Sequence, residues 1–173
     1  MDITIAETVL FPVEQKEILR AYEEFNDIPE DRSVAVYSLN EIATEKVVSL
    51  GDRARNEPRD LYDLWFLIAH AGVELQLLFP AIEEKLRFRN KEITGLQDRI
   101  VAKEARLKAL WNSRLGHQME TLPEFEMVFR ALRRELRRAE MPDQDSDLMT
   151  DSLRSPYQGG NLANLVAARF ASG

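Results

Sequence analysis

The fold is decided by two adjacent helical stretches, YSLNEIATEKVVSL at positions 37–50 and EPRDLYDLWFLIAHAG at positions 57–72. Ser38 and Glu41 form the S-x-x-E pattern that begins many helices. Pro58 is typical of the first turn of the second helix. Past its first turn the second stretch is apolar on nearly all sides, which predicts that this helix is buried.

Weaker patterns flank these two helices. On the N-terminal side they predict short strands at Asp2–Ile5 and Val34–Tyr37 and a helix at Val13–Phe25. On the C-terminal side they predict helices at 74–79, 80–92 and 96–115 and a last one from Pro123. The sequence from Glu140 onward is polar and acidic, apart from a weak helical pattern at Leu162–Phe170.

Composition limits the possible functions. The chain has 173 residues, 45% of them hydrophobic and 31% charged, with a net charge of −7. It contains no cysteine, which excludes disulfides, thiolate chemistry and cysteine-ligated zinc. His70 and His117 lie too far apart in sequence to suggest a metal site. No signal peptide and no membrane-spanning stretch is evident, so we expect a cytoplasmic protein with no membrane partner.

Lys46 occupies an unusual position in the first helix. At about 100° per residue it falls inside the apolar stripe rather than opposite it. Burying an ammonium without a partner costs on the order of several kcal/mol. Three arrangements therefore remain open: the side chain snorkels to solvent, pairs with a carboxylate, or faces a ligand cavity. The apolar stripe consists of Leu39, Ile42, Ala43, Val47 and Leu50.

Asp60 and Asp63 share one face of the second helix, with His70 about two turns further on. Asp60 suits the positive N-terminal end of the helix dipole. Asp63 lies deeper among apolar residues and needs a partner, for which Lys46, Arg59 and Arg55 are candidates. His70 is interpreted as a core or rim residue rather than a ligand.

Two further groups have both a structural and a functional interpretation. Asp2 lies on the polar face of its predicted strand, where a carboxylate can be a metal ligand or simply a surface residue. The arginines of the last helix can bind phosphates, or can form a solvated face that is partly paired with Glu126 and Glu135. These arginines are Arg130, Arg133, Arg134, Arg137 and Arg138.

The two opening stretches resemble the C-terminal half of the AbiEii/AbiGii toxin family of nucleotidyltransferases. The matching features are Met1-Asp2-Ile3-Thr4, the spacing from Glu41 to Lys46, and the R-D-x-x-D-L pattern that begins at Arg59. The resemblance covers residues 1–138. It implies an α+β fold, in which a remnant of a polymerase-β-like mixed sheet precedes a mainly helical body.

The resemblance also implies a reaction and a set of roles. The family transfers a nucleoside monophosphate from a nucleoside triphosphate to an acceptor such as tRNA, using Mg²⁺, and its toxins have a cognate antitoxin partner. Asp2 would be a metal ligand and possible general base. Lys46 and Asp63 would be catalytic residues. Lys46, Arg59 and Asp60 would bind the nucleotide.

The family's Gly-Ser turn with a following Asp-x-Asp pair has no match in this chain. We therefore expect that this catalytic segment lies upstream of Met1 and that the chain as given is truncated and inactive. The alternative is a non-catalytic helical module that binds RNA or an antitoxin. The predicted division is residues 1–72 as part of the nucleotidyltransferase domain, 73–139 as a helical domain and 140–173 as a flexible acidic tail.

Overall fold

The computed structural model describes residues 8–18 and 32–140. Within these ranges the chain forms a two-stranded antiparallel sheet and six α-helices, which confirms the predicted α+β class. The strands are β1 (Glu14–Glu17) and β2 (Ser33–Val36). The helices are α1 (Leu39–Gly51), α2 (Pro58–His70), α3 (Leu75–Phe88), α4 (Leu96–Val101), α5 (Glu104–Leu115) and α6 (Phe125–Glu140).

The small sheet departs from the sequence prediction. Glu14 lies opposite Val36 and Glu17 lies opposite Ser33. The predicted helix at Val13–Phe25 is therefore wrong in the part that the structure describes, where β1 forms instead. Strand formation depends on a distant partner segment, which the local spacing of apolar residues does not reveal.

Strand β2 agrees with the predicted strand Val34–Tyr37 to within one residue. The predicted strand Asp2–Ile5 lies outside the described residues, as do the polar stretch after Glu140 and the weak helical pattern at Leu162–Phe170.

Helix α1 begins and ends for different reasons. The Ser38 hydroxyl accepts a hydrogen bond from the Glu41 backbone N–H at 3.2 Å, as the S-x-x-E pattern predicts. Gly51 is the last residue of α1 and lies against Leu96. A Cβ at position 51 would collide with the Leu96 side chain. A larger residue at position 51 would therefore require the Leu96 side chain to shift where α1 meets α4.

Helix α3 is continuous through Pro80, although the sequence predicted two helices that met there. Proline removes one backbone donor, and here the carbonyl that loses its partner belongs to Gln76. Both Gln76 and Pro80 are exposed, so this part of the helix is open to solvent.

The predicted single helix at 96–115 is instead two helices, α4 and α5, separated by Ala102 and Lys103. The apolar spacing is helical on both sides of the break, so the pattern alone gives no signal for it. Lys103 is buried at this junction, and its contacts are described below.

One hydrophobic core joins all six helices. Helix α1 packs on α2 and α3, and α6 packs on α2 and α3 from the other side. The Trp111 indole N–H donates to the Pro123 carbonyl at 2.9 Å, which attaches the segment before α6 to α5. The fully buried apolar residues at the centre are Ala43, Val47, Leu61, Leu64, Ile100, Leu107, Leu115 and Val128.

None of the helices in the described ranges has the length and apolar character that crossing a membrane requires. The division of the chain at Gly72 stays a prediction.

Leu61 and Leu77 provide a matched test of this core, because Leu61 is fully buried while Leu77 is 55% exposed. We expect Leu61→Ala to lower the free energy of unfolding by about 2–5 kcal/mol through lost burial and a residual cavity. Leu77→Ala should change it by no more than about 0.5 kcal/mol. Urea unfolding followed by circular dichroism measures both. Equal losses in the two variants would contradict the described packing.

Candidate functional site

Lys46 joins helices α1 and α2 through an ion-pair cluster. Its ammonium nitrogen lies 3.0 Å from Asp60 Oδ1 and 2.7 Å from Asp63 Oδ2. The Lys46 side chain is 22% exposed, and that of Asp60 only 3%. Of the three arrangements left open by the sequence, pairing with carboxylates is the one observed.

Two arginines extend the cluster toward solvent. Arg55 holds Asp60 from the loop before α2, with Nε 2.5 Å from Oδ2 and Nη2 3.3 Å from Oδ1. Arg59 Nε lies 3.7 Å from Asp63 Oδ2, one helical turn away. Arg55 was a candidate partner for Asp63, and the structure pairs it with Asp60 instead. We call these five residues, Lys46 included, the Lys46 cluster.

The buried members of the Lys46 cluster stabilise each other's charges. Burial alone would lower the pKa of the Lys46 ammonium, but hydrogen bonds to Asp63 and Asp60 outweigh it and raise this pKa above the ordinary value. Burial alone would likewise raise the pKa of Asp60. Hydrogen bonds from Arg55 and Lys46 outweigh that effect, so the pKa of Asp60 is lowered from 3.8.

The Lys46 cluster carries more positive than negative charge, because Lys46, Arg55 and Arg59 face only two carboxylates. An ammonium has three N–H donors, and two of these point at Asp60 and Asp63. In the described part of the chain no acceptor meets the third. The exposed guanidinium groups beside it offer further donors. This arrangement suits an anion with several oxygens, such as a phosphate chain.

A second buried ionic network lies on the other side of α1. The Lys85 ammonium donates to the Thr8 carbonyl at 2.7 Å and to the Glu45 carboxylate, and lies 2.5 Å from Glu41 Oε1. Lys85 and Glu41 are almost fully buried. The sequence analysis missed this network. Lys85 follows Leu78 and Ile82 at helical spacing, so the argument that singled out Lys46 applies to it as well.

Glu41 has a role different from the one its pattern indicates. In a complete capping box its carboxylate would return to the start of its own helix. Here Glu41 Oε2 accepts the backbone N–H groups of Leu10 and Phe11, both at 3.0 Å. The segment before β1 is therefore attached to α1 through this one carboxylate.

The other candidate residues lie apart from the Lys46 cluster or outside the described residues. His70 is exposed and packs on Phe66, with ring centroids 4.9 Å apart. Asp2, the predicted metal ligand, lies outside the described residues. On α6, Glu135 pairs with Arg134 and Arg138, as the interpretation of a partly paired face predicts. Glu126 does not pair with an arginine, because Lys108 of α5 takes it.

One known protein family matches most of the chain. Residues 1–139 match the family described as nucleotidyl transferase AbiEii toxin, type IV TA system. The chain belongs to the AbiEii nucleotidyl transferase toxin family. The match includes all of α1 and α2, and hence the whole Lys46 cluster. No curated protein sequence and no solved structure matches the chain.

Nucleotidyltransferases generally use divalent metal, which requires oxygen ligands that converge on one point. Mg²⁺ binds through carboxylate oxygens and water in octahedral geometry. No group of three or more histidine, aspartate or glutamate side chains converges within the described ranges. Asp60 and Asp63 are already neutralised by Lys46 and the arginines. The Lys46 cluster therefore does not fit a divalent cation.

Asp60 should make a pH-dependent contribution to stability. Its pKa is lowered on folding, so the contribution is fully present above pH 3.8 and is lost as the pH falls through the folded-state pKa. We expect Asp60→Asn to lower the free energy of unfolding by about 3 kcal/mol at pH 7, because Lys46 and Arg55 both lose their charged partner in this buried position while Lys46 keeps Asp63. The difference from the wild type should shrink steadily below pH 3.8.

The control for this test is Asp63→Asn, because the Asp63 side chain is 27% exposed. That variant should lose only about 1 kcal/mol. Guanidinium unfolding across the pH range measures all three proteins. A difference between Asp60→Asn and wild type that stays constant down to the lowest pH would show that folding does not lower the pKa of Asp60.

Proposed function

We propose that this AbiEii chain binds the triphosphate of a nucleoside triphosphate at the Lys46 cluster. The reaction it serves is transfer of the nucleoside monophosphate to an RNA acceptor, with tRNA as the expected class. The observation that carries the proposal is the Lys46 ammonium, held by two carboxylates and flanked by two exposed arginines. Of the ligands in this reaction, the triphosphate has the negative charge and the several oxygens that such a cluster recognises.

The individual roles follow from position. Lys46 directs one N–H toward the phosphates, while Asp60 and Asp63 hold its side chain in place. Arg59 contributes an exposed guanidinium that can grip two phosphate oxygens at once. Asp60 is almost fully buried behind Lys46 and Arg55, so we assign it to positioning these two cations rather than to contact with the nucleotide.

The Mg²⁺ of the family would have to be held by residues other than the Lys46 cluster. Asp2 remains the predicted ligand, and Mg²⁺ bound with the triphosphate would neutralise part of its charge. The type IV toxin–antitoxin context supplies the remaining partner, a cognate antitoxin.

A second candidate function is a helical module that binds RNA without catalysis. The observation that favours it is the row of arginines on α6. Arg130 and Arg137 are exposed, and no carboxylate in the described part of the chain pairs with them. Exposed arginines at helical spacing are suited to an RNA backbone.

Binding of nucleoside triphosphates distinguishes the two candidates. We expect Lys46→Met to weaken triphosphate affinity about tenfold or more, because one charge-assisted hydrogen bond contributes roughly 1.5–3 kcal/mol. Lys108→Met is the matched control, since Lys108 is an exposed lysine on α5. Isothermal titration calorimetry with each of the four nucleotides and Mg²⁺ measures the affinities.

RNA binding completes the comparison. If the non-catalytic module is correct, the double variant Arg130→Met/Arg137→Met should weaken tRNA binding while Lys46→Met leaves nucleotide affinity unchanged. Unchanged nucleotide affinity in Lys46→Met would refute the proposed triphosphate site.

A further inference from the structure

Lys103 lies at the break between α4 and α5, on the far side of the loop that carries Arg55. The residue is 7% exposed. Its ammonium donates three hydrogen bonds, all to backbone carbonyls: Leu50 at 2.7 Å, Arg55 at 2.6 Å, and Asp52. No carboxylate in the described residues forms an ion pair with it. The three N–H donors of this ammonium are therefore used entirely to hold main chain.

The three carbonyls belong to the end of α1 and to the loop between α1 and α2. The last carbonyls of a helix have no N–H partner within it, and a cation at that end also interacts favourably with the helix dipole. Leu50 is one of these end residues. The other two carbonyls lie in a loop whose side chains at positions 53–55 are exposed, so hydrophobic packing holds this loop weakly.

The loop connects Lys103 to the Lys46 cluster through a single residue. The Arg55 carbonyl accepts from Lys103, while the Arg55 guanidinium makes two hydrogen bonds to Asp60. An arginine that is 55% exposed loses side-chain freedom when it is ordered in this way. Because Lys103 already fixes the Arg55 backbone, the Arg55 side chain has less conformational entropy left to lose when it pairs with Asp60.

We propose that Lys103 is a positioning residue for triphosphate binding, acting through the backbone of Arg55. This inference rests on the proposed function of the Lys46 cluster. Lys103 itself contacts none of the cluster side chains. It fixes the loop from which Arg55 reaches the cluster, so that the guanidinium is in place before a triphosphate arrives.

The break in the helix accords with this role. Lys103 lies in the break itself: it directly precedes α5 and follows Ala102, the residue that caps α4. Burial lowers the pKa of the Lys103 ammonium, so the burial is unfavourable on its own. The three carbonyls offset that cost. A methionine of similar length would avoid it but would leave these carbonyls without their donor.

The test measures the affinity of the full 173-residue chain for inorganic tripolyphosphate by isothermal titration calorimetry. The variants are Lys103→Met, Arg55→Met and the double variant, with Lys108→Met, an exposed lysine of α5, as the control. We expect Arg55→Met to weaken binding about tenfold, the size of one charge-assisted hydrogen bond. Lys103→Met should weaken binding to a similar extent, and the control should leave it unchanged.

The double variant separates positioning from general loss of structure. If Lys103 acts through Arg55, the double variant should bind no more weakly than Arg55→Met alone, because the two residues share one effect. Lys103→Gln provides a second variant that keeps two donors, and it decides the matter if Lys103→Met does not unfold cooperatively. It should weaken binding in the wild-type background and not in the Arg55→Met background.

Three results would overturn the inference or its basis, each in a distinct way. Unchanged affinity in a folded Lys103 variant, or effects of Lys103 and Arg55 that multiply, would refute positioning through Arg55 while leaving the triphosphate site intact. Unchanged affinity in Lys46→Met would refute the proposed function itself.

Discussion

The structure depends on one ammonium group held between two helices. Lys46 lies in the apolar stripe of α1, where a lone charge would be strongly unfavourable, and the carboxylates of Asp60 and Asp63 on α2 make the position tolerable. The pairing fixes how α1 and α2 face each other, because sliding either helix by one turn would separate the charges by about 5.4 Å. Hydrophobic contacts alone set this register less strictly.

Three lysines connect helix α1 to the rest of the structure. Lys46 belongs to α1 and reaches α2, Lys85 of α3 reaches Glu41 and Glu45 on α1, and Lys103 reaches the carbonyl end of α1. Each ammonium is directional, and each acceptor has a fixed place on the helix. The core therefore combines ordinary apolar packing with polar contacts that specify one arrangement of the helices around α1.

The parts of the molecule that local sequence patterns could predict are those in which neighbouring residues decide the outcome. The Ser38 cap, the start of α2 at Pro58 and the face shared by Asp60 and Asp63 follow from spacing along one helix. The strand β1 could not be predicted in this way, because it forms against a partner that is distant in sequence. Pro80 gave a misleading signal because the exposure of its surroundings depends on tertiary packing.

The same distinction applies to the candidate site. The position of Lys46 in an apolar stripe predicted that it needed a partner, and the depth of Asp63 on the next helix made Lys46 a candidate partner for that carboxylate. Local sequence patterns could not predict that Arg55 pairs with Asp60. They also could not predict that Lys103 donates hydrogen bonds to three carbonyls. Both depend on the path of the loop between α1 and α2, and a loop path is set by long-range contacts such as the one between positions 103 and 50.

The attachment of the segment before β1 has a consequence for the order of events during synthesis. Its anchors are the carboxylate of Glu41 and the ammonium of Lys85, and the contact from Lys85 to Thr8 spans 77 positions. A ribosome that adds roughly 5–20 residues per second needs about 4–15 seconds to cover that distance. The segment before β1 therefore reaches its Lys85 anchor only after α3 has been synthesised, and until then the Thr8 carbonyl remains bonded to water.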